Sequence, residues 1–140
     1  MATSYDVITI GRVGVDIYPQ QYGVGLEEVK TFEKFLGGSA TNVACAVAKY
    51  DLKSAVITRT GNDPFGKYVH QELKRLNVSD EFVSGVDGLQ TPVVFCEVFP
   101  PDNFPLYFYR KPKAPDLVIN TSELDLDAIR AAKLYWSTVT

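Results

Sequence analysis

The stretch Gly37-Gly38-Ser39-Ala40-Thr41-Asn42-Val43-Ala44 holds the residues of this 140-residue chain best suited to grip a polar ligand. Two glycines in front of a helix let the backbone come close to a ligand, and the first N–H groups of a helix have no partner within it. Asn42 falls in the first turn. Its amide offers both a donor and an acceptor, which suits a sugar hydroxyl. The same residues would serve equally as a tight turn with a helix cap. A second glycine-bearing loop, Gly11-Arg12-Val13-Gly14-Val15-Asp16, invites a dinucleotide-binding reading and fails it. That fingerprint needs G-x-G-x-x-G opening a helix, whereas here the glycines are spaced G-x-x-G and Pro19 follows. No G-x-x-x-x-G-K-[ST] occurs, so a Walker-type phosphate loop is excluded as well. His70 is the one histidine, expected exposed in mid-helix, and with Cys45 and Cys96 far apart it predicts no metal site.

These residues need elements to hold them. Residues 7–10 form a short apolar run ending at Gly11, the pattern of a strand buried on both faces. The region of Pro19, Gly23 and Gly25 is too broken for a helix, and residues 29–36 can hold another short strand. Ala40, Val43, Ala44, Val47 and Ala48 recur as one helical stripe that Gly38 or Ser39 can start. Residues 55–57 read as the next buried strand. Asp63-Pro64 then marks a helix start, with Phe65, Tyr68, Val69, Leu73 and Leu76 on its apolar side and Asn77 to close it. Residues 91–99 and 106–110 are β-rich runs around a proline-rich loop, which predicts a hairpin. Residues 125–132 read as a short helix and 134–139 as a strand. Alternating strands and helices predict an α/β layered sheet with right-handed crossovers, and the hairpin predicts a separate small sheet projecting as a lid. A sheet ending on its third parallel strand leaves an exposed edge, so the natural protein is expected to continue beyond Thr140.

Composition narrows the partners. The net charge is -3, which offers no basic stripe for nucleic acid. There is no apolar run of membrane-spanning length and no basic start leading into an apolar segment, so neither a membrane helix nor a signal peptide is expected. Both cysteines lie in apolar runs and read as buried thiols of a cytoplasmic protein.

Gly37-Gly38, then Ala40, Asn42 and Ala44, with Gly61 at a fixed distance beyond, resemble the first signature of the ribokinase, or phosphofructokinase B, family of carbohydrate kinases. One position departs. Asp51 stands where the family has Gly or Ser, at a helix C-terminus where Gly helps and Asp is tolerated. Within the family, the runs Gly11 to Gln20, Gly37 to Asn42 and Phe104 to Arg110 resemble the 5-dehydro-2-deoxygluconokinases of inositol catabolism, and the similarity runs through essentially all 140 residues.

The resemblance implies a ribokinase-like α/β layered sheet, with residues 1–140 as its N-terminal part. The small β lid would comprise about 91–110 plus part of 15–36. It implies transfer of the γ-phosphoryl group of ATP to the terminal hydroxyl of 5-dehydro-2-deoxy-D-gluconate by the full-length protein, with this chain carrying sugar recognition. ATP and Mg2+ are the implied cofactors, bound mainly outside this chain. Asp16 takes the place of the family's hydroxyl-binding Asp, a role that a two-oxygen acceptor can fill. Gly37, Gly38 and Asn42 match the sugar-binding segment. Arg110 matches a lid arginine that meets the substrate in the related 2-keto-3-deoxygluconate kinases, and its fork would pair with an acid sugar's carboxylate. Alternation along a strand puts Phe108 on the face of Arg110, where it would cover the sugar. Arg12 is the second candidate for the carboxylate. The family's Gly-Ala-Gly-Asp motif, with its catalytic base, is absent, so no catalytic or ATP-binding residue is expected here and the chain alone should be inactive. A homodimer through the lid is also implied. The alternatives are a 2-keto-3-deoxygluconate kinase or other sugar kinase of the family, and a non-catalytic sugar-binding or dimerisation module.

Overall fold

The computed structural model describes residues 4–138. Its centre is a parallel sheet built on β1 (Val7–Ile10) and β4 (Ser54–Gly61). β4 is buried along its whole length, with β1 on one side and the short strands β5 (Val78–Ser79) and β6 (Val83–Val86) on the other. The last strand, β9 (Leu134–Ser137), pairs with the free side of β1. Its expected final residue, Val139, lies outside the described residues. Successive residues of β4 feed opposite faces. Val56 joins one core with Val13, Ala44, Val69 and Leu73, while Ala55 and Ile57 join a second core with Tyr5 and Ile8. Helices α1 (Ser39–Ala48) and α2 (Pro64–Arg75) cover the first face, and α3 (Leu126–Ala131) covers the second. The result is the expected α/β layering. Val69 and Leu73 are completely buried, which contributes roughly 1.5–3 kcal/mol each.

The α1 stripe is rotated from the expected one. Ala40, Thr41, Ala44 and Ala48 are buried, whereas Val43 and Val47 are only half-buried. Alanine decides this. Its small side chain lets the helix backbone approach the sheet, where Thr9 Oγ1 donates to the Ala40 carbonyl at 3.0 Å and Ser54 Oγ to the Ala44 carbonyl at 2.8 Å. Two buried hydroxyls are thereby satisfied. Past the end of α1, Asp51 has φ 59°, the left-handed geometry that explains why a glycine would suit this position.

The start of α2 agrees with the sequence reading and does more than cap. The Asp63 carboxylate accepts from Gly66 N at 2.8 Å, and also from Thr91 N and Thr91 Oγ1, both at 2.8 Å. Thr91 is therefore bound to the helix cap and stands outside the strand it was expected to begin. Asn77, at φ 59°, follows the helix as expected. His70 departs from expectation: it is half-buried, and Nδ1 lies 2.6 Å from Asp80 Oδ2, which Lys74 also approaches at 3.4 Å. The 3-10 turns at Pro115–Val118 and Thr121–Glu123 were not foreseen.

A second, mixed sheet stands beside the first. Its order is β3 (Phe32–Gly37), β2 (Gly14–Pro19), β7 (Val93–Cys96), β8 (Leu106–Tyr109). β7 and β8 form the antiparallel hairpin, and β7 runs parallel to β2, so the hairpin is one half of a four-stranded sheet. This sheet begins where α1 begins: β3 ends at Gly37, and α1 starts two residues later. Among the described residues no helix is long and apolar enough to cross a membrane.

Candidate functional site

The mixed sheet turns one face toward the start of α1. Pairing places Asp16 opposite Phe35 and Tyr18 opposite Glu33 on one side, and Val94 opposite Phe108 and Cys96 opposite Leu106 on the other. Two adjoining clefts open on this face. The inner one, about 90 Å³, is lined by Arg12, Asp16, Tyr18, Gly38, Asn42, Val94, Cys96, Leu106 and Phe108. The outer one, about 630 Å³, shares Asp16, Tyr18 and Asn42 and continues along Tyr22, Glu33 and Phe35.

Close approach of backbones builds the floor. Gly38 caps α1 at φ 108°, and a Cβ there would drive into the Arg12 carbonyl. The same carbonyl accepts from Thr41 Oγ1 at 3.2 Å, so the loop after β1 is tied to the first turn of α1. At Gly37 a Cβ would collide with the Asp16 carboxylate. Glycine there leaves room for that side chain.

Asp16 is half-buried, and its carboxylate makes no hydrogen bond among the described residues. Burial pushes its pKa above the ordinary value, and the charge of Arg12 pulls it back in part. An ionised carboxylate with unfilled acceptor sites is a place for ligand hydroxyls. Asn42 is exposed. Its backbone N–H closes the helix by donating to the Gly38 carbonyl at 2.8 Å, which leaves the side-chain amide for the cleft. The guanidinium of Arg12 lies 5.3 Å from the centre of the Phe108 ring. The clefts also contain residues that the sequence reading missed. Tyr18 stands edge-on to Phe35 at 5.6 Å, and burial beside Asp16 raises its pKa. Strand alternation from Asp16 would have found Tyr18, had the region been read as a strand. Cys96 is a buried free thiol whose pKa burial raises, and Cys45 is a half-buried one.

Arg12, Asp16, Gly38, Asn42 and Phe108 are thus brought together, with Gly37 against Asp16. Arg110 is not brought to either cleft. β8 ends at Tyr109, so the alternation that would align Arg110 with Phe108 stops one residue short. Arg110 instead donates to Asp116 at 3.0 Å, in a pair whose side chains are only 17% and 6% exposed.

Such a cleft, with a carboxylate and an amide below an aromatic-lined sheet, resembles a site for a small polyhydroxy ligand. The profile described as pfkB family carbohydrate kinase matches residues 4–138. The chain belongs to the pfkB family of carbohydrate kinases. A 5-dehydro-2-deoxygluconokinase of Listeria monocytogenes is similar to it, 31% identical over 93% of the chain. A protein named "Probable fructokinase-5" of Arabidopsis thaliana is 35% identical over 96% of the chain. An uncharacterized sugar kinase from Pyrococcus horikoshii, solved in complex with ATP, superimposes with a TM-score of 0.83 at 28% identity, over 94% of this chain and 42% of that one. The chain spans 40% of the length of the Listeria relative and 41% of the Arabidopsis one. The architecture is therefore the ribokinase-like α/β fold, a parallel sheet with a mixed sheet beside it.

Proposed function

We propose that these residues form the sugar-recognition part of a kinase that phosphorylates 5-dehydro-2-deoxy-D-gluconate at its terminal hydroxyl. The observation that carries this reading is the meeting of Asp16 and Asn42 in one cleft at the glycine-made start of α1, in a chain of a carbohydrate kinase family. Asp16 would accept from two hydroxyls, Asn42 would accept and donate, and Phe108 would cover the sugar. The mixed sheet would act as the lid, spanning about 91–110 with part of 15–36. The Listeria relative's name supports the acid sugar as substrate. Its carboxylate would need a donor once under the lid, and Arg110 and Arg12 are the two arginines offered for it.

ATP with Mg2+ is the phosphoryl donor in this reading. Among the described residues no group of three or more His, Cys, Asp or Glu side chains could hold a metal ion, and Mg2+ in such a reading would be carried by the phosphates of ATP with one or two carboxylates. Both would be held mainly outside the 140 residues. The protein would work in the cytoplasm.

A neutral-sugar substrate has one observation in its favour, the 35% identity to the fructokinase-named relative. ADP release by the protein expressed from its complete reading frame, with 5-dehydro-2-deoxygluconate, 2-keto-3-deoxygluconate and fructose in parallel, decides between them. The acid sugar should give the highest kcat/KM. Preference for fructose would move the assignment to a fructokinase.

The lid would also carry a homodimer contact. On its other face Phe32, Phe95 and Tyr109 stack edge-to-face at 5.6 and 5.5 Å, with Tyr109 65% exposed. A second copy would cover these rings. Light scattering of the same preparation should give twice the chain mass at micromolar concentration, and a monomer would refute the contact.

A further inference from the structure

We propose that Arg12 is the residue that selects an anionic sugar: its guanidinium, lying on the Phe108 ring beside Asp16, takes the substrate carboxylate, and Arg110 holds the base of the mixed sheet instead. The inference rests on the sugar-kinase reading and adds the residue that sets substrate charge.

Three observations separate the two arginines. Arg110 is engaged through Nη2, while its buried Nη1 has no hydrogen-bond partner among the described residues. It is paired with Asp116 in a largely buried site, and drawing it onto a substrate would leave the Asp116 carboxylate buried without its counter-charge. Arg12 makes no ion pair among the described residues, yet it lines the inner cleft with Asp16, Gly38 and Asn42. It is also placed to use its two surfaces differently. The Phe108 ring lies against the guanidinium at 5.3 Å, while donors along a guanidinium's edge stay available for a carboxylate fork.

The backbone of Arg12 is fixed even though its side chain is not paired. Its carbonyl accepts from Thr41 Oγ1 at 3.2 Å, and Gly38 packs directly on it. The guanidinium therefore works from a rigid base at the start of α1, on the same floor as Asn42. Charge balance points the same way. Asp16 alone would repel an acid sugar, and Arg12 is the cation whose field already reaches Asp16. A cleft with one carboxylate and one unpaired guanidinium can hold hydroxyls on the first and a carboxylate on the second. Phe108 gives the arrangement a link to the lid, because the ring that supports Arg12 sits on β8, the strand at the edge of that sheet.

The test uses the protein from its complete reading frame, with 5-dehydro-2-deoxygluconate and fructose as acid and neutral probes, read both by ADP release and by calorimetric binding. Arg12→Gln should lower the acid-to-neutral ratio of kcat/KM by about tenfold to a thousandfold, mainly through KM for the acid. Arg12→Lys keeps the charge and loses the fork, so it should recover part of that ratio. Phe108→Leu, which leaves Arg12 in place without its ring, should lower the ratio in the same direction and by less. Arg110→Gln should lower the unfolding midpoint and reduce both substrates together. Equal losses on both probes in Arg12→Gln, or an acid-selective loss in Arg110→Gln alone, would overturn the proposal. The kinase reading fails separately. Acid binding that depends on Arg12 with no phosphorylation of either sugar would retain the proposal and reject the kinase. Phosphorylation of fructose by a wild type that does not bind the acid would do the reverse.

Discussion

The 140-residue chain, purified alone and shown to be folded by circular dichroism, is expected to release no ADP above background from Mg-ATP and 5-dehydro-2-deoxygluconate. Phosphoryl transfer depends on positioning and on stabilising charge at the phosphates. In the proposed reading the residues gathered at this cleft position the sugar and not the phosphates of ATP. Their polar groups are Asp16, Asn42, Tyr18 and Arg12, a set suited to holding hydroxyls and a carboxylate. The sequence contains no G-x-x-x-x-G-K-[ST] and no Gly-Ala-Gly-Asp, and the chain spans 40% of the length of its Listeria relative. Turnover from the isolated chain would contradict this division of labour. It would require an ATP site within these residues and a local base, with Asp16 or Glu33 as the carboxylates at hand.

Gly38→Ala should be the most damaging small substitution at the site, lowering stability by about 3 kcal/mol or more, from backbone strain together with a forced displacement. Gly38 sits at φ 108°, which side chains rarely adopt, and the new methyl would meet the Arg12 carbonyl. Relief requires the loop after β1 to move off the start of α1, which breaks the Thr41–Arg12 hydrogen bond and shifts both Arg12 and Asn42. Gly88 provides the comparison. It also has positive φ, at 77°, but a Cβ there would meet nothing within 4 Å. Gly88→Ala should cost only about 1 kcal/mol. Urea unfolding of both variants measures the difference, which isolates the close approach from the dihedral strain. Equal costs would mean that the contact between Gly38 and Arg12 does not hold the site.

Much of this architecture was legible where local chemistry is strong. Asp63-Pro64 announced α2, the alanine-rich run announced α1, and the parallel strands stood out as short apolar runs. Gly38 and Asn42 stood out through the resemblance to the family signature, since a glycine pair before a helix serves equally as a turn and cap. What stayed hidden depends on tertiary partners. β5 and β6 have only two and four residues, too short for a pattern, and exist because β4 offers them an edge. The rotation of α1 toward Thr41 follows from the close approach that its alanines allow to hydroxyls on the sheet, which no helical periodicity reveals. The partner of His70, Asp80, lies ten residues away, beyond the end of its helix. The Arg110–Asp116 pair forms because the chain turns into a 3-10 segment just after β8. A strand-alternation argument carried past Tyr109 could not anticipate that turn.

Asp16 and Asn42 are the groups proposed to hold the sugar. Calorimetric titration of 5-dehydro-2-deoxygluconate into the complete protein and its Asp16→Ala and Asn42→Ala variants, with ATP titrated in parallel, tests this most directly. Each variant should lose roughly 1–3 kcal/mol of sugar affinity, about fivefold to 150-fold, the value of a hydrogen bond to a polar ligand group. ATP affinity should stay nearly the same. In the wild type, burial raises the pKa of Asp16, so its acceptor form is complete above that value and is lost as pH falls through it. Sugar affinity should therefore decline on acidification at a higher pH than an ordinary carboxylate would give, and Asp16→Ala should abolish that decline. Unchanged sugar affinity in both variants would remove the cleft from sugar recognition.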